Sequence, residues 1–237
     1  NLHDASASTG VAYDNLYRVI RITRGALAGT VIPAPTYAED ASYDVMGNIA
    51  GNLVTPVYQY SPEFDGTSCT WDANGNLTVY NGMTLAYDAF NRLVEANCTS
   101  YLYDAQNRRI AKIHPNGTRT YYIYHGWSCI AEYNESGTLA REFVEGVSLD
   151  EHLALVDGAT GSTYFYLLDH LNGVEKVIDS TGAVSEAYTY SLYGQLLAGQ
   201  IGQGTASGNV YGFQGRGYDP ETGLMYFRNR MFSPEMK

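Results

Sequence analysis

Apolar and polar residues alternate along this chain in short runs, and each run ends in a cluster of Gly, Asn, Asp or Ser. "CIAEY" and "TLAREFV" flank Asn134-Glu135-Ser136-Gly137, and "VEKVI" and "AVSEAYTY" flank Asp179-Ser180-Thr181-Gly182. A period of two is what a strand with one buried face requires, and the intervening residues are those that turns select. "GTRTYYIYHG" and "STYFYLLDHLNG" extend the pattern. No long stretch carries a 3.6-residue apolar period. "SLDEHLALV", residues 148–156, fits either a short helix or a strand with an irregular entrance. The pattern predicts an all-β chain built from hairpins.

Within that pattern one phrase recurs. Trp71-Asp72-Ala73-Asn74-Gly75-Asn76-Leu77 is followed sixteen residues later by Tyr87-Asp88-Ala89-Phe90-Asn91-Arg92-Leu93, and sixteen later again by Tyr103-Asp104-Ala105-Gln106-Asn107-Arg108-Arg109. Looser versions begin at Tyr13-Asp14 and Tyr43-Asp44. An aromatic residue ends one strand, Asp accepts backbone hydrogen bonds across the turn, Gly or Asn takes a left-handed position, and an aliphatic residue starts the returning strand. Repetition then has a structural cause, since each hairpin needs its neighbour to bury its apolar face. On this reading Tyr13, Tyr43, Trp71, Tyr87 and Tyr103 are sheet anchors, and Asp14, Asp44, Asp72, Asp88 and Asp104 are turn acceptors. The Gly-rich "GQLLAGQIGQGTASGNVYG", residues 194–212, breaks the spacing and predicts a flexible excursion.

Composition sharpens the picture. The 237 residues include 22 Tyr and 25 Gly, which suits strands joined by turns. Only 16% of residues are charged and the net charge is −11, which argues against a nucleic-acid groove lined with clustered Lys and Arg. Cys69, Cys98 and Cys129 match no compact zinc or redox spacing and read as buried or loop thiols, with one disulfide an alternative in an exported protein. The sequence holds four Asn-x-Ser/Thr triplets, and it shows neither a signal peptide nor a membrane-spanning run.

The repeated Tyr-Asp phrases, together with "YFYLLDHLNGVEKVIDSTGAVSEAYTYSLYG" and "YGFQGRGYDPETGLMYFRNRMFSP", resemble the Rhs/YD-repeat family, shared by bacterial Rhs proteins, the B/C components of insecticidal toxin complexes and teneurins. The second pair of segments is similar to the Rhs repeat-associated core. The resemblance implies YD β-hairpins wound into a coiled sheet or partial β-shell, with a YD-repeat region over residues 1–163 continuous with a core-like region over 164–237. It implies a structural scaffold that shields or positions a toxin, effector or other partner polypeptide, in a secreted or cell-surface setting. The implied partners are flanking parts of a longer Rhs-like protein, other scaffold chains, or the enclosed polypeptide. Family members continue beyond a segment like Ser233-Pro234-Glu235 into a Gly-Arg-Phe and Asp-Pro region associated with self-cleavage, whereas this sequence stops at Lys237.

The residues themselves supply little chemistry. His170 beside Asp169 in "LLDHLNG" reads as a structural turn completed by Gly173 rather than as an acid-base pair. Asp219 precedes Pro220 in "RGYDPETG" and reads as a turn former, with Tyr218 in the same motif. Arg216, Arg228 and Arg230 are expected to bond Asp side chains or carbonyls between strands, or to touch an enclosed effector. No nucleophile elbow, phosphate loop or metal-ligand spacing is present, so no cofactor and no catalytic residue are assigned. Two alternatives stay open. One is an adhesion or carbohydrate-binding module in which aromatic faces stack on a glycan. The other is a self-processing core whose protease region lies elsewhere.

Overall fold

The computed structural model describes residues 8–13, 19–25, 37–40, 42–43, 49–50, 63–64, 67–202 and 204–235, the strands before Cys69 as backbone. The chain divides into two compact units, Asn1–Thr67 and Ser68–Lys237. In the first, β1 (Ser8–Tyr13), β2 (Val19–Gly25) and β3 (Tyr37–Asp40) pair antiparallel in sequence order, and β4 (Ser42–Tyr43) pairs with β5 (Ile49–Ala50). β6 spans Glu63–Phe64. Tyr13 and Tyr43 end β1 and β4, while Asp14 and Asp44 lie outside the described residues.

The second unit is dominated by one antiparallel meander. It runs through β7 (Thr67–Trp71), β8 (Leu77–Tyr80), β9 (Met83–Tyr87), β10 (Leu93–Ala96), β11 (Thr99–Tyr103), β12 (Arg109–Ile113) and β13 (Arg119–His125). It continues through β14 (Ser128–Asn134), β15 (Leu139–Glu145), β16 (His152–Asp157), β17 (Thr163–Leu168), β18 (Val174–Asp179) and β19 (Val184–Ala187). Each of these strands hydrogen-bonds the next, and the sheet crosses residue 163 without a break. The segment 148–156 resolves as a turn into β16, not a helix.

Why the hairpins close is visible in their turns. Asp72 Oδ1 accepts from the backbone N–H groups of Asn74 (2.9 Å) and Asn76 (2.8 Å). Asp88 repeats this with Phe90 and Arg92, Asp104 with Gln106 and Arg108, Asp169 with Leu171 and Gly173, and Asp179 with Thr181 and Ala183. Asn134 makes the same pair of bonds to Ser136 and Thr138. In each turn the fourth residue is left-handed, Gly75 at φ 83° and Asn91 and Asn107 at 59° and 64°. This is a type I turn followed by a bulge, whose twist matches the flanking strands. Turns are also tied to one another: Asn76 Nδ2 donates to Asn91 Oδ1 (2.9 Å), and Arg92 Nη1 to Asn107 Oδ1 (3.1 Å) and the Asp104 carbonyl (3.2 Å).

One face of the sheet is covered by the chain's own C-terminal segment. That segment carries β20 (Thr189–Tyr190), β21 (Leu196–Ala198), a 3₁₀ turn at Phe213–Gly215, β22 (Gly217–Asp219), β23 (Leu224–Tyr226) and β24 (Met231–Phe232). Phe143, Leu155, Tyr166, Val174 and Val177 of the sheet pack against Tyr188, Tyr190, Ile201 and Tyr211, and Leu93, Ala96 and Tyr101 pack against Leu224. The Gly-rich stretch, which its composition predicts to be an excursion, has an anchored residue among those described. Asn209 is fully buried within it. Its Oδ1 accepts from Tyr166 OH (3.1 Å) and the Tyr211 N–H (2.9 Å), while Nδ2 donates to Tyr188 OH (3.0 Å) and the Tyr211 carbonyl (2.7 Å). A saturated buried amide holds the stretch where glycine content alone suggested mobility.

Loss of a turn carboxylate has a graded outcome. Asp104→Ala leaves the N–H groups of Gln106 and Arg108 without their acceptor and is expected to lower stability by about 1–3 kcal/mol. Asp104→Asn, which keeps an amide oxygen for those two bonds, is expected to cost less. Equilibrium unfolding in denaturant checks the order of the two variants.

Candidate functional site

The bulge after Asp104 decides what the third hairpin presents. Leu102 pairs with Ala111 and Tyr103 with Arg109, so Ile110 is the extra residue. Arg109 and Lys112, three positions apart, therefore point to the same face, joined two residues on by His114. That face is the one the C-terminal segment covers. β22 delivers Asp219 and the turn after it Glu221, so that a row of cations meets a row of carboxylates.

The meeting is dry. Asp219 is 1% exposed and Arg109 4%. Asp219 Oδ2 accepts from Arg109 Nη1, and its Oδ1 accepts from Lys112 Nζ at 3.0 Å. Lys112 Nζ also reaches Glu221 Oε2 at 3.2 Å, and Glu221 Oε1 lies 2.6 Å from His114 Nδ1. Three rings surround the Arg109 guanidinium, those of Tyr101, Tyr122 and Tyr226, with centroids at 5.4, 4.8 and 4.5 Å. The backbone N–H of Arg109 donates to Tyr226 OH (2.9 Å). Burial pushes the Asp219 carboxyl upward, but Arg109 and Lys112 outweigh it and hold the group below the usual carboxylate range. Burial likewise opposes the shift at Glu221, yet His114 and Lys112 bring it down to about 2.

Two further clamps fix the same segment. Asp150 accepts from Arg216 Nη2 (2.9 Å) and Arg228 Nη2 (2.5 Å), joining the turn before β16 to both ends of the β22–β23 hairpin. His152 is buried and stacked on Tyr211, with centroids 3.7 Å apart and planes 16° from parallel. Its Nδ1 lies 2.8 Å from Glu145 Oε1 and its Nε2 2.8 Å from the Gly215 carbonyl.

The residues singled out from the sequence occupy varied places. Asp72, Asp88, Asp104 and Asp169 are turn acceptors. Gly173 is not left-handed. A side chain there would sit 2.7 Å from Asp169 Oδ2, and Asn172 carries the positive φ instead. His170 is exposed at that turn. Trp71 is 40% exposed, while Tyr87 and Tyr103 are half-buried and Tyr103 OH donates to the Leu93 carbonyl (2.8 Å). Asp219 does start a turn through its carbonyl, which accepts from the N–H groups of Thr222 and Gly223, but its side chain is the centre of the ion cluster. Half-buried Tyr218 donates its backbone N–H to the Val210 carbonyl, and Pro220 is exposed. Arg216 and Arg228 both bond Asp150; Arg230 is exposed, its guanidinium 6.0 Å from the Phe227 ring centroid.

By their dispersed spacing His114 and His152 read from the sequence as surface or turn histidines, whereas His152 is buried and both pair with glutamates, and sequence reasoning passed over Arg109, Lys112, Glu221 and Asp150. One signal was present. Arg109 stands where the two earlier phrases have Leu77 and Leu93, both buried, and a cation in a buried aliphatic slot demands an acid from elsewhere. Nothing in the cluster is arranged as a nucleophile. The Cys129 thiol is pushed up by burial and by Glu132, and Cys69, Cys98 and Cys129 are all free. Among the described residues no group of three or more His, Cys, Asp or Glu side chains is placed to hold a metal ion.

Two outcomes test the cluster. Asp219→Ala strands Arg109, leaving Lys112 only Glu221, and is expected to cost about 3–5 kcal/mol, whereas Arg109→Leu combined with Asp219→Asn, which restores the aliphatic slot of the repeat, is expected to recover much of that loss in equilibrium unfolding. Because the folded Glu221 carboxyl lies below its unfolded value, its contribution is complete above about pH 4.5 and is lost as pH falls toward 2. Glu221→Gln is therefore expected to flatten the acid limb of the stability profile over that window, read as thermal midpoint against pH.

Comparison with known proteins agrees with this architecture. The chain is 28% identical over 216 residues to the tRNA3(Ser)-specific nuclease WapA of Bacillus spizizenii, covering 86% of this chain and 8% of that protein. It is similar in fold to the Photorhabdus luminescens Tc holotoxin pore, with a TM-score of 0.65 at 17% identity, covering 96% of this chain and 14% of that one. The crystal structure of TcdB2-TccC3 gives a TM-score of 0.64 at 17% identity, over 96% of this chain and 14% of the other. The chain thus spans a small part of each protein it matches. Residues 63–236 match the Teneurin YD-shell family, and on that match, across most of its length, the chain belongs to the YD-shell family.

Proposed function

We propose that this chain is a wall segment of a β-shell, a structural scaffold that shields or positions a partner polypeptide of toxin or effector type within a longer, exported protein. The observation that carries the reading is the uninterrupted meander from β7 to β19, one face of which is sealed by residues 188–232 through buried ion pairs. A continuous sheet satisfies its backbone strand to strand and leaves side chains alone to face whatever lies against it. Fold likeness to the Tc structures supports a shell role, and the small share of each matched chain supports flanking parts of the same protein as the first partners. A secreted or cell-surface setting follows from that reading. No helix among the described residues is long and apolar enough to cross a membrane.

A self-processing role is less well supported at Asp219. An acid dyad needs a second carboxylate sharing a proton with the first, and Asp219 is instead held between Arg109 and Lys112, which keep it ionised. An adhesion or glycan-binding role rests on the exposure of Trp71 and Phe90.

The test uses the native full-length protein. Intact mass and peptide mapping after limited proteolysis are expected to show a stoichiometric polypeptide partner, resistant to protease in the wild type and cut when Asp219→Ala loosens the sealing segment. A native species with no polypeptide partner would overturn the scaffold reading.

A further inference from the structure

A cleft of about 500 Å³ opens where the first hairpins of the long sheet face β23 and β24. Its floor is aliphatic, formed by Leu77, Leu85, Leu93, Leu224 and Met231. Trp71, Tyr87, Phe90 and Tyr103 add ring faces, and Phe90 is 76% exposed. Three of the aromatic anchors of the repeated phrase thus line a space as well as a sheet.

The polar lining has one sign. Arg92, Arg228 and Arg230 border the cleft and no carboxylate does, in a chain whose net charge is −11. Arg92 and Arg228 are paired with Asp88 and Asp150, which lie outside the lining. Arg230 is exposed and forms no ion pair with any described residue. The side-chain amides of Asn91 and Asn107 accept at Oδ1 from Asn76 and Arg92, and neither NH₂ group donates to a described residue. The cleft therefore offers cationic and neutral donors above an apolar floor.

We propose that this cleft docks a polypeptide segment carrying a bulky apolar side chain flanked by carboxylates. The inference rests on the scaffold reading in taking the partner to be a polypeptide. The floor decides against a saccharide: aliphatic side chains cannot hydrogen-bond the hydroxyl groups a sugar ring would bury there, while an apolar side chain loses nothing by leaving water. Charge decides the flanks. A guanidinium fork takes a carboxylate through two parallel bonds, and a cleft bordered by arginines and free of acids attracts an acidic segment and repels a basic one, against the net charge of the chain.

Trp71 lines the cleft and Trp127 is the other of two tryptophans, so Trp127→Phe leaves a single tryptophan at the site, excited selectively beyond the absorption of tyrosine. In that background the full chain is titrated with four probes: a short Asp/Glu peptide with a central Phe, the same peptide with Lys for each acid, the same peptide with Ser for Phe, and an oligogalacturonate. The acidic Phe peptide is expected to shift Trp71 emission saturably, with affinity weakened roughly tenfold or more by Lys, by Ser, or by Arg230→Glu in the protein. Arg230→Glu is expected to leave the thermal midpoint unchanged, since Arg230 is exposed. No saturable response to the acidic Phe peptide, equal binding of the Lys form, indifference to Arg230→Glu, or a response to oligogalacturonate alone would each overturn the proposal. A protected partner in the protease experiment alongside any of these failures would remove this site while leaving the scaffold reading intact.

Discussion

A guanidinium among three aromatic rings has one strict requirement, a carboxylate in contact with it, and here the nearest carboxylate in space comes from 110 residues away in sequence. Arg109 belongs to the repeating wall and Asp219 to the segment that covers it. Neither is tolerable alone, because an uncompensated charge in a dry site costs more than the net worth of the pair. The pairing thus acts as a positional constraint: the wall is sealed when β22 lies where Asp219 reaches both Arg109 and Lys112. Asp150, His152 and the Asn209 amide then hold the rest of the segment in a placement the buried ion pair has already selected.

That constraint depends in turn on a local one. The turn carboxylates recur because each accepts from two backbone N–H groups and so closes its hairpin, and each closure leaves a bulge. Without the bulge at Ile110, Arg109 and Lys112 would face opposite sides of the sheet, since side chains alternate along a strand. A local device repeated along the chain therefore sets the register in which a single long-range contact can form. The turn pairs Asp88–Arg92 and Asp104–Arg108 are four residues apart and partly exposed, so they shape hairpins without deciding which distant parts meet.

Between residues 71 and 109 the hairpin turns were legible in the sequence: the aromatic, the Asp, the Gly or Asn three places later, and the return, aliphatic at Leu77 and Leu93. They could be read because all their partners lie within five residues. What could not be read depends on distance or on saturation. Residues 194–212 look like an excursion by composition, yet Asn209 within them is saturated by four bonds, a fact that exists only once Tyr166, Tyr188 and Tyr211 are brought together. Gly173 was legible as part of the turn, but the closeness of the Asp169 carboxylate, which leaves no room for a side chain there, was not. Asp219 was legible as a turn residue; its carboxylate role required knowing that β12 lies opposite. Arg109 is the intermediate case, visible as a departure from Leu77 and Leu93 yet without a partner nameable from the sequence.

The distribution of charge makes the same point. A net charge of −11 describes the chain and none of its sites. Carboxylates at the turns accept backbone N–H groups, those at Asp150, Asp219 and Glu221 are neutralised by cations, and the cleft beside β24 has none at all. Each arrangement follows from what surrounds the group: water and N–H groups at the turns, rings and cations beneath the covering segment, aliphatic floor and arginine at the cleft. The buried charges beneath the covering segment are each set against a specific partner, and Arg230, exposed and without an ion pair to any described residue, marks a place where the surface is open to an anionic group.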